Sequence, residues 1–419
     1  MSTEQAILTT ADGTPLKISL QRAMRRSRLK ALGLVAPLFV FILVSFLLPI
    51  GDMLLRGVEN HIVAEELPRT IPLLSEWQPD SATIPSEAVF KALVLDFQQG
   101  AKNKTINRLG SRLNYEVAGI SSLFRKTARK SRRLTSGPYQ EAMIKIDKKW
   151  GSIETWKLLK TFSSRYTPGY YLAGADLKLN IDGEIQRQPE ELRVYMKLFW
   201  RTLRLSAIIT LLTLVLGYPI AYLMATLPTR TSNLLMIMVL LPFWTSLLVR
   251  TTAWIALLQQ EGIINDFLVV IGLLNDDGRL PLIHNATGTI VAMTHILLPF
   301  MVLPLFSVMK TISPTYVRAA KSLGATPFQA LIKVYMPNTI PGMGAGGILV
   351  FILAIGYYIT PELVGGISGT FISNRIAYHI SSSLNWGLAA ALGAFLLLIV
   401  LALYTLYDKL VGIDNMKLG

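Results

Sequence analysis

The chain has 419 residues, 52% of them hydrophobic and only 16% charged, with a formal net charge of +15 and no cysteine. Its mean hydropathy of +0.45 and low charged fraction exclude an ordinary soluble protein, in which about a quarter of residues are charged. The missing thiols also exclude disulfide staples, thiolate metal sites and a cysteine nucleophile.

A bilayer core about 30 Å thick needs about 20 apolar helical residues, and six segments qualify. The first runs uncharged from Ala31 to Gly51, the second from Leu205 to Pro228, and the third from Thr231 through Val249. The fourth covers Asn285 to Met309, the fifth Thr339 to Thr360, and the sixth Gly387 to Tyr407. No small-residue cleavage site follows the first segment, so it is expected to remain as an anchor. The expected architecture is an all-α membrane protein divided into a tail 1–30, a first span 31–53, an insert 54–200, a five-helix membrane domain 201–410 and a tail 411–419.

Orientation follows from the basic residues flanking the spans. Arg22, Arg25, Arg26, Arg28 and Lys30 hold the N-terminus in the cytoplasm, and six spans return the C-terminus there. Arg230, Lys310, Arg318, Lys321 and Lys333 fall on the same side. The basic insert then lies outside, which is compatible because long loops translocate largely regardless of charge.

Within the insert, "SEAVFKALVLDFQQG" and "YQEAMIKIDKKWGSIETWKLLKTFSSRY" have helical periodicity, the latter interrupted at Gly151. The stretch "TPGYYLAGADLKLNIDGEI" carries turn signals and a candidate hairpin. Arg125, Lys126, Arg129, Lys130, Arg132 and Arg133 form a basic cluster. Its place outside argues against nucleic acid and for a solvated face or a surface meeting an acidic partner or lipid head groups.

Motifs for ATP binding, zinc proteolysis and serine hydrolysis are missing, and no catalytic or metal-binding set is expected. A literal G-x-G-x-x-G at Gly342 to Gly347 opens the fifth span without a preceding strand, so it is read as close helix packing. His295, inside the fourth span, is either a packed, hydrogen-bonded histidine or a group on a transport route. Arg250 either snorkels to the interface or serves such a route, and Trp244 and Trp254 fit an interfacial belt.

Between the fourth and fifth spans, residues 312–343 read "ISPTYVRAAKSLGATPFQALIKVYMPNTIPGM". Ser313 and Pro314 fit an N-cap and first helical position, and Gly324 fits a left-handed stop. A second helix begins at Thr326 and Pro327 and is expected to end before Pro337. Tyr316, Ala319, Ala320 and Leu323 share one face of the first helix, and Phe328, Leu331, Ile332 and Tyr335 one face of the second.

This hairpin resembles the EAA loop of ABC importer permeases of type I. Arg318, Ala319 and Ala320 stand at the Glu-Ala-Ala positions, Gly324 at the glycine, Val334 at the isoleucine, and Met336 with Pro337 at the final Leu-Pro. Arg318 reverses the charge of the family's acidic residue. The stretches "LPFWTSLLVRTTAWIALLQQEGIIN", "HILLPFMVLPLFSVM", "FILAIGYYITPELVGG" and "NWGLAAAL" are similar to spermidine/putrescine-type permeases. The long insert is not part of the pattern of the common short members.

The resemblance implies a permease subunit of the bacterial inner membrane that itself binds no cofactor. ATP and Mg would sit on a partner ATPase dimer, a second and usually different permease would complete the path, and a periplasmic binding protein would deliver solute. The loop would dock on the ATPase through Arg318, Ala319, Ala320, Gly324, Ala325, Thr326, Pro327, Met336 and Pro337. Trp244, Arg250, Trp254, His295, Tyr357 and Tyr358 are the candidate path residues. Polyamine-type permeases often have an acid after the fifth-span glycine, whereas Tyr357 and Tyr358 follow Gly356 here. Polyamine, amino-acid-like and opine-like solutes therefore all remain open, beside a rival reading of the chain as a membrane scaffold or sensor that uses its insert.

Overall fold

The structure is a computed structural model describing residues 16–79 and 83–411. The parts of the two expected tails at 1–15 and 412–419 lie outside the described residues, as does the side chain of Arg22. The chain divides into two units at Arg56.

The first unit is one long apolar helix, Met24–Arg56, which contains the expected first span. It includes a π turn at Leu43–Leu47, in which the Leu48 amide reaches back to the Leu43 carbonyl. A proline, Pro49, follows immediately. A proline ring clashes with the carbonyl four residues back, and widening the preceding turn relieves that clash.

In the second unit, the insert is a helical domain. Its helices are His61–Glu66, Thr70–Glu76, Glu87–Asn103, Ile106–Asn114, Ile120–Ser131, Tyr139–Ile146, Ile153–Thr161 and Gly169–Gly174. The interruption at Gly151 is a short 3-10 turn, Lys148–Gly151. The candidate hairpin forms as the antiparallel pair Leu177–Leu179 and Ile185–Arg187. Phe90, Phe97, Phe124, Trp150, Trp156 and Phe162 fill the core. Both buried indoles are satisfied: Trp150 donates to Thr127 Oγ1 at 2.9 Å and Trp156 to the Trp150 carbonyl at 3.0 Å. Buried aromatics with paired N–H groups can stabilise this domain without disulfides.

The insert leaves and returns at one point. Asn60 donates its backbone N–H to the Arg165 carbonyl at 2.8 Å and its side-chain amide to the Phe162 and Ser164 carbonyls, while Thr167 N donates to the Val58 carbonyl at 2.8 Å. On the Ile120–Ser131 helix, Leu123, Phe124, Thr127 and Ala128 face the core, which leaves most of the basic cluster on the solvent side. Lys126 is held by Asp147 at 2.8 Å.

The membrane domain is built around three helices, Tyr195–Thr226, Ala286–Thr311 and Ile340–Gly356. The glycine stretch does permit close packing: a β-carbon on Gly346 would lie 2.8 Å from Met301 Sδ and 3.1 Å from its carbonyl oxygen. The helix Trp386–Val411 and the shorter Ile372–Ser381 pack beside this core.

Two expectations are corrected. Six continuous spans are expected, but among the described residues only four helices are individually long enough; the third is a bent pair, and the fifth is the shorter helix Ile340–Gly356. The third breaks after Leu241–Trp244, turns by 97° and resumes at Leu247, where Ser246 caps the new helix. Pro242 explains the break, because its ring cannot follow a regular helical turn. The fifth meets the second hairpin helix at 63°, between Asn338 and Ile340, and its helix ends at Gly356, short of the expected Thr360. The second hairpin helix also does not end before Pro337 but continues to Asn338 through a π turn at Leu331–Tyr335. This repeats the arrangement ahead of Pro49.

The hairpin and the insert lie at opposite ends of the Tyr195–Thr226 helix. Thr202, near the insert, accepts a hydrogen bond from Ile372 N at 2.9 Å. Tyr222 packs edge-on against Tyr335 with ring centres 5.2 Å apart. The two contacts are separated by about 20 residues and so about 30 Å of helix, one hydrocarbon core.

Candidate coupling hairpin and solute path

The hairpin is assembled from local signals that the structure realises one by one. Ser313 accepts from Thr315 N at 3.3 Å and Pro314 opens the helix Pro314–Ser322. Gly324 has φ +88°, with Ala325 N bonding the Ala320 carbonyl and Gly324 N the Lys321 carbonyl, both at 3.0 Å. That pair of bonds is a Schellman stop. Thr326 and Gln329 then form a reciprocal capping box at 3.1 and 3.3 Å around Pro327.

One side of the unit is anchored: Tyr335 is buried, and Ile312, Val317 and Leu331 pack on the membrane core. The other side is open. Leu323 is 89% exposed, Phe328 69% and Tyr316 57%, and Arg318, Ala319, Thr326, Met336 and Pro337 are exposed with them. Ala320 and Ala325 are half-buried. The expected faces are thus split, since Leu331 and Tyr335 turn inward while Phe328 and Ile332 remain exposed.

Of the six candidate path residues, four converge. Trp254 donates Nε1 to His295 Nδ1 at 3.1 Å, with the rings edge-on and 5.3 Å apart. Arg250 lies within electrostatic reach of both His295 and Tyr357. Its Nε is buried with no hydrogen-bond partner among the described residues. Trp244, 75% exposed at the break, and Tyr358, 47% exposed, stand apart from this group.

The backbone opens beside Tyr357 and Tyr358, where the helix ends at Gly356. Ser373 Oγ donates to the Tyr357 carbonyl at 2.6 Å and Asn374 Nδ2 to the Tyr358 carbonyl at 2.8 Å. Irregular backbone at membrane depth requires such partners. Asn374 also donates to Glu362 at 2.6 Å, and Thr251 meets Thr360 at 3.0 Å, tying the resumed third span to this segment. Sequence reading misses Ser373, Asn374 and Glu362, whose single polar side chains have no periodic or motif signal.

This is the geometry of a polytopic membrane protein with a rigid external hairpin and a broken-helix interior. Residues 217–412 match the family "Binding-protein-dependent transport system inner membrane component". The chain is 32% identical over 224 residues to the spermidine/putrescine transport system permease protein PotB of Haemophilus influenzae, covering 54% of this chain and 78% of that one. It is also 32% identical to PotB of Escherichia coli K12, over 54% of this chain and 81% of the relative. The inner membrane ABC transporter permease protein YdcU of the same bacterium is 33% identical over 51% of this chain and 70% of its own. A bacterial alginate ABC transporter, solved with an alginate-bound periplasmic protein, has a chain that aligns at 18% identity and a TM-score of 0.44, covering 54% of this chain and 81% of its own. The protein belongs to the binding-protein-dependent inner-membrane permease family and is a permease component of an ABC importer. The family match begins after the insert.

Proposed function

We propose that this subunit carries a small polar organic solute, handed over outside by a soluble binding protein, and is driven by an ATPase dimer that docks on the hairpin. The observation that supports coupling is the combination of rigidity and exposure at 312–343. Caps at Ser313, Gly324 and Thr326 fix two helices, and the outward surface of Tyr316, Leu323 and Phe328 is left uncovered by the described residues. A capped unit anchored through Tyr335 would transmit a push as a tilt of the attached helices. ATP and Mg would be held by the ATPase. Arg318 would meet an acidic or neutral position there, in place of the family's acid.

The insert would face outward and the hairpin and both termini inward, consistent with their separation by one bilayer thickness. A second, different permease would close the path beside the exposed His295. Relatives named for spermidine and putrescine favour a polyamine. Against that stands the chemistry around Arg250: a guanidinium beside Trp254, His295 and Tyr357, with no carboxylate in the group, suits a solute carrying an acceptor such as a carboxylate. We therefore favour an amino-acid-like or opine-like solute.

Uptake tests this reading. Tyr357→Ala and Arg250→Gln should reduce transport with the complex still assembled, while Tyr357→Phe should retain more of it. Unchanged uptake in all three would remove this cluster from the path. Labelling of single cysteines at Ser136 and Thr326 by an impermeant reagent outside intact cells should mark only Ser136→Cys; the reverse pattern would overturn the orientation.

A further inference from the structure

A half-open cavity of about 340 Å³ lies where the insert meets the membrane domain, well away from the Arg250 cluster in sequence and composition. Its size is in the range of small-molecule sites. The insert contributes Arg112, Tyr115, Glu116, Tyr170 and Lys178. The membrane side contributes Tyr195, Arg375, His379 and Asn385, from three different helical segments.

The charges are unbalanced. Arg112 is 3% exposed; its Nη1 pairs with Glu116 at 2.7 Å and its Nε reaches Asn60 at 3.3 Å. The guanidinium also lies 4.7 Å from the centre of the Tyr170 ring, on its face. Glu116 is thereby committed and is the one carboxylate among the described lining residues; the buried Asp176 carboxylate behind Tyr195 is committed as well, accepting from Tyr195 N and Met196 N at 3.0 and 2.9 Å. Arg375 and Lys178 form no ion pair among the described residues; Arg375 lies over the Tyr378 ring at 5.8 Å and also borders a neighbouring cavity that holds Glu190, Glu191 and Glu362 without being paired to them. The neutral groups are fixed by their own bonds: Tyr195 OH meets His379 Nε2 at 3.0 Å, and His379 Nδ1 meets Ser383 at 2.8 Å. Burial pushes the Tyr170 hydroxyl's pKa up, which keeps it a neutral donor. Leu177, Leu192, Val194 and Leu388 supply an apolar wall.

We infer that this cavity is a binding site for a small organic carboxylate, held between Arg375, Lys178 and the Arg112 edge with its apolar part against the leucines. A guanidinium offers a carboxylate paired donors in a planar fork, and two uncommitted cations in a partly enclosed site favour one anion over a dication. Because the site joins the insert to Tyr195, the Arg375 helix and the start of the last helix, an occupant would fasten the insert to three separate segments of the membrane domain. The insert, for which the family match gives no role, would then be a sensor of that carboxylate. The inference does not depend on which solute crosses the membrane.

The test is titration calorimetry of the purified complex, in nanodiscs of neutral lipid, with succinate, L-glutamate and benzoate, and with putrescine as a cationic control. At least one carboxylate should bind saturably to the Arg250→Gln protein, in which the path cluster is disabled, and adding Arg375→Gln or Lys178→Gln should each weaken that binding at least tenfold. Arg112 is buried and structural as well, so Arg112→Lys is informative only alongside the exposed Arg375 and half-buried Lys178 variants. No saturable binding by any of the three acids, tighter binding of putrescine, or equal binding in Arg375→Gln would overturn the inference. Mass spectrometry that finds a lipid released from the wild-type complex but absent from Arg375→Gln would reassign the site to a head group and equally overturn it.

Discussion

Replacing Gly324 with valine isolates the hairpin turn from everything else in the protein. Among the described residues, no atom beyond its chain neighbours lies within 4 Å of the position a β-carbon would take, so that carbon enters open space. The cost lies in the backbone, because φ is +88° and a left-handed conformation costs an L-residue about 1–2 kcal/mol, with a branched β-carbon at the upper end. Should the turn relax instead, it forfeits the two 3.0 Å bonds from Gly324 and Ala325 to Lys321 and Ala320, at about 0.5–1.5 kcal/mol each. Holding the turn strains it and relaxing it reorients Pro314–Ser322 against Pro327–Ala330, at similar expense. Expressed as docking, about 1–2 kcal/mol is roughly a 5- to 30-fold loss of ATPase affinity. Insertion and the membrane core should be unaffected, since the turn is exposed. The assay is ATPase retention and solute-stimulated hydrolysis in purified complexes, with Gly324→Asn as a milder control because asparagine tolerates positive φ. Full retention with normal stimulation and uptake in Gly324→Val would refute the coupling role.

Trp150→Ala should destabilise the insert by about 3–5 kcal/mol, since it empties a site packed against Phe97, Phe124 and Trp156 and removes the indole bond to Thr127 Oγ1; limited proteolysis confined to 57–194 would report it, and resistance equal to wild type would contradict it. Gly346→Leu should cost about 1–3 kcal/mol through overpacking against Met301, read as a lower Tm in detergent; an unchanged Tm would mean the two helices are not closely packed. Lys126, by its hydrogen bond, holds the Asp147 carboxyl below its usual range. The folded pKa being the lower one, the pair's contribution is full above the unfolded value of about 3.9 and fades as pH falls through the folded value. Both side chains are partly exposed, so the effect should stay under about 1 kcal/mol. Asp147→Asn should therefore lower Tm slightly near pH 6 and converge with wild type at strongly acidic pH; a gap that does not change with pH would refute this.

What could be read from the chain alone was whatever is decided over a few neighbouring residues. Ser313–Pro314, Gly324 and Thr326–Pro327 specify caps and a stop through their own backbones and side chains, so the hairpin needed no tertiary partner to be legible. The apolar runs and the insert's helical periods were legible for the same reason, and the order of motifs carried the family. The break after Trp244, the bend before Ile340 and the continuation through Pro337 were not, because a proline in an apolar run permits a kink, a π turn or a stop, and packing chooses among them. Convergence was hidden still more deeply. Arg250, Trp254, His295 and Tyr357 come from three helical segments, and Arg112 meets Arg375 across one cavity only after the insert's two ends are clasped by Asn60 and Thr167. Side chains that far apart in sequence have no local physics in common, so only the folded chain could bring them to one place.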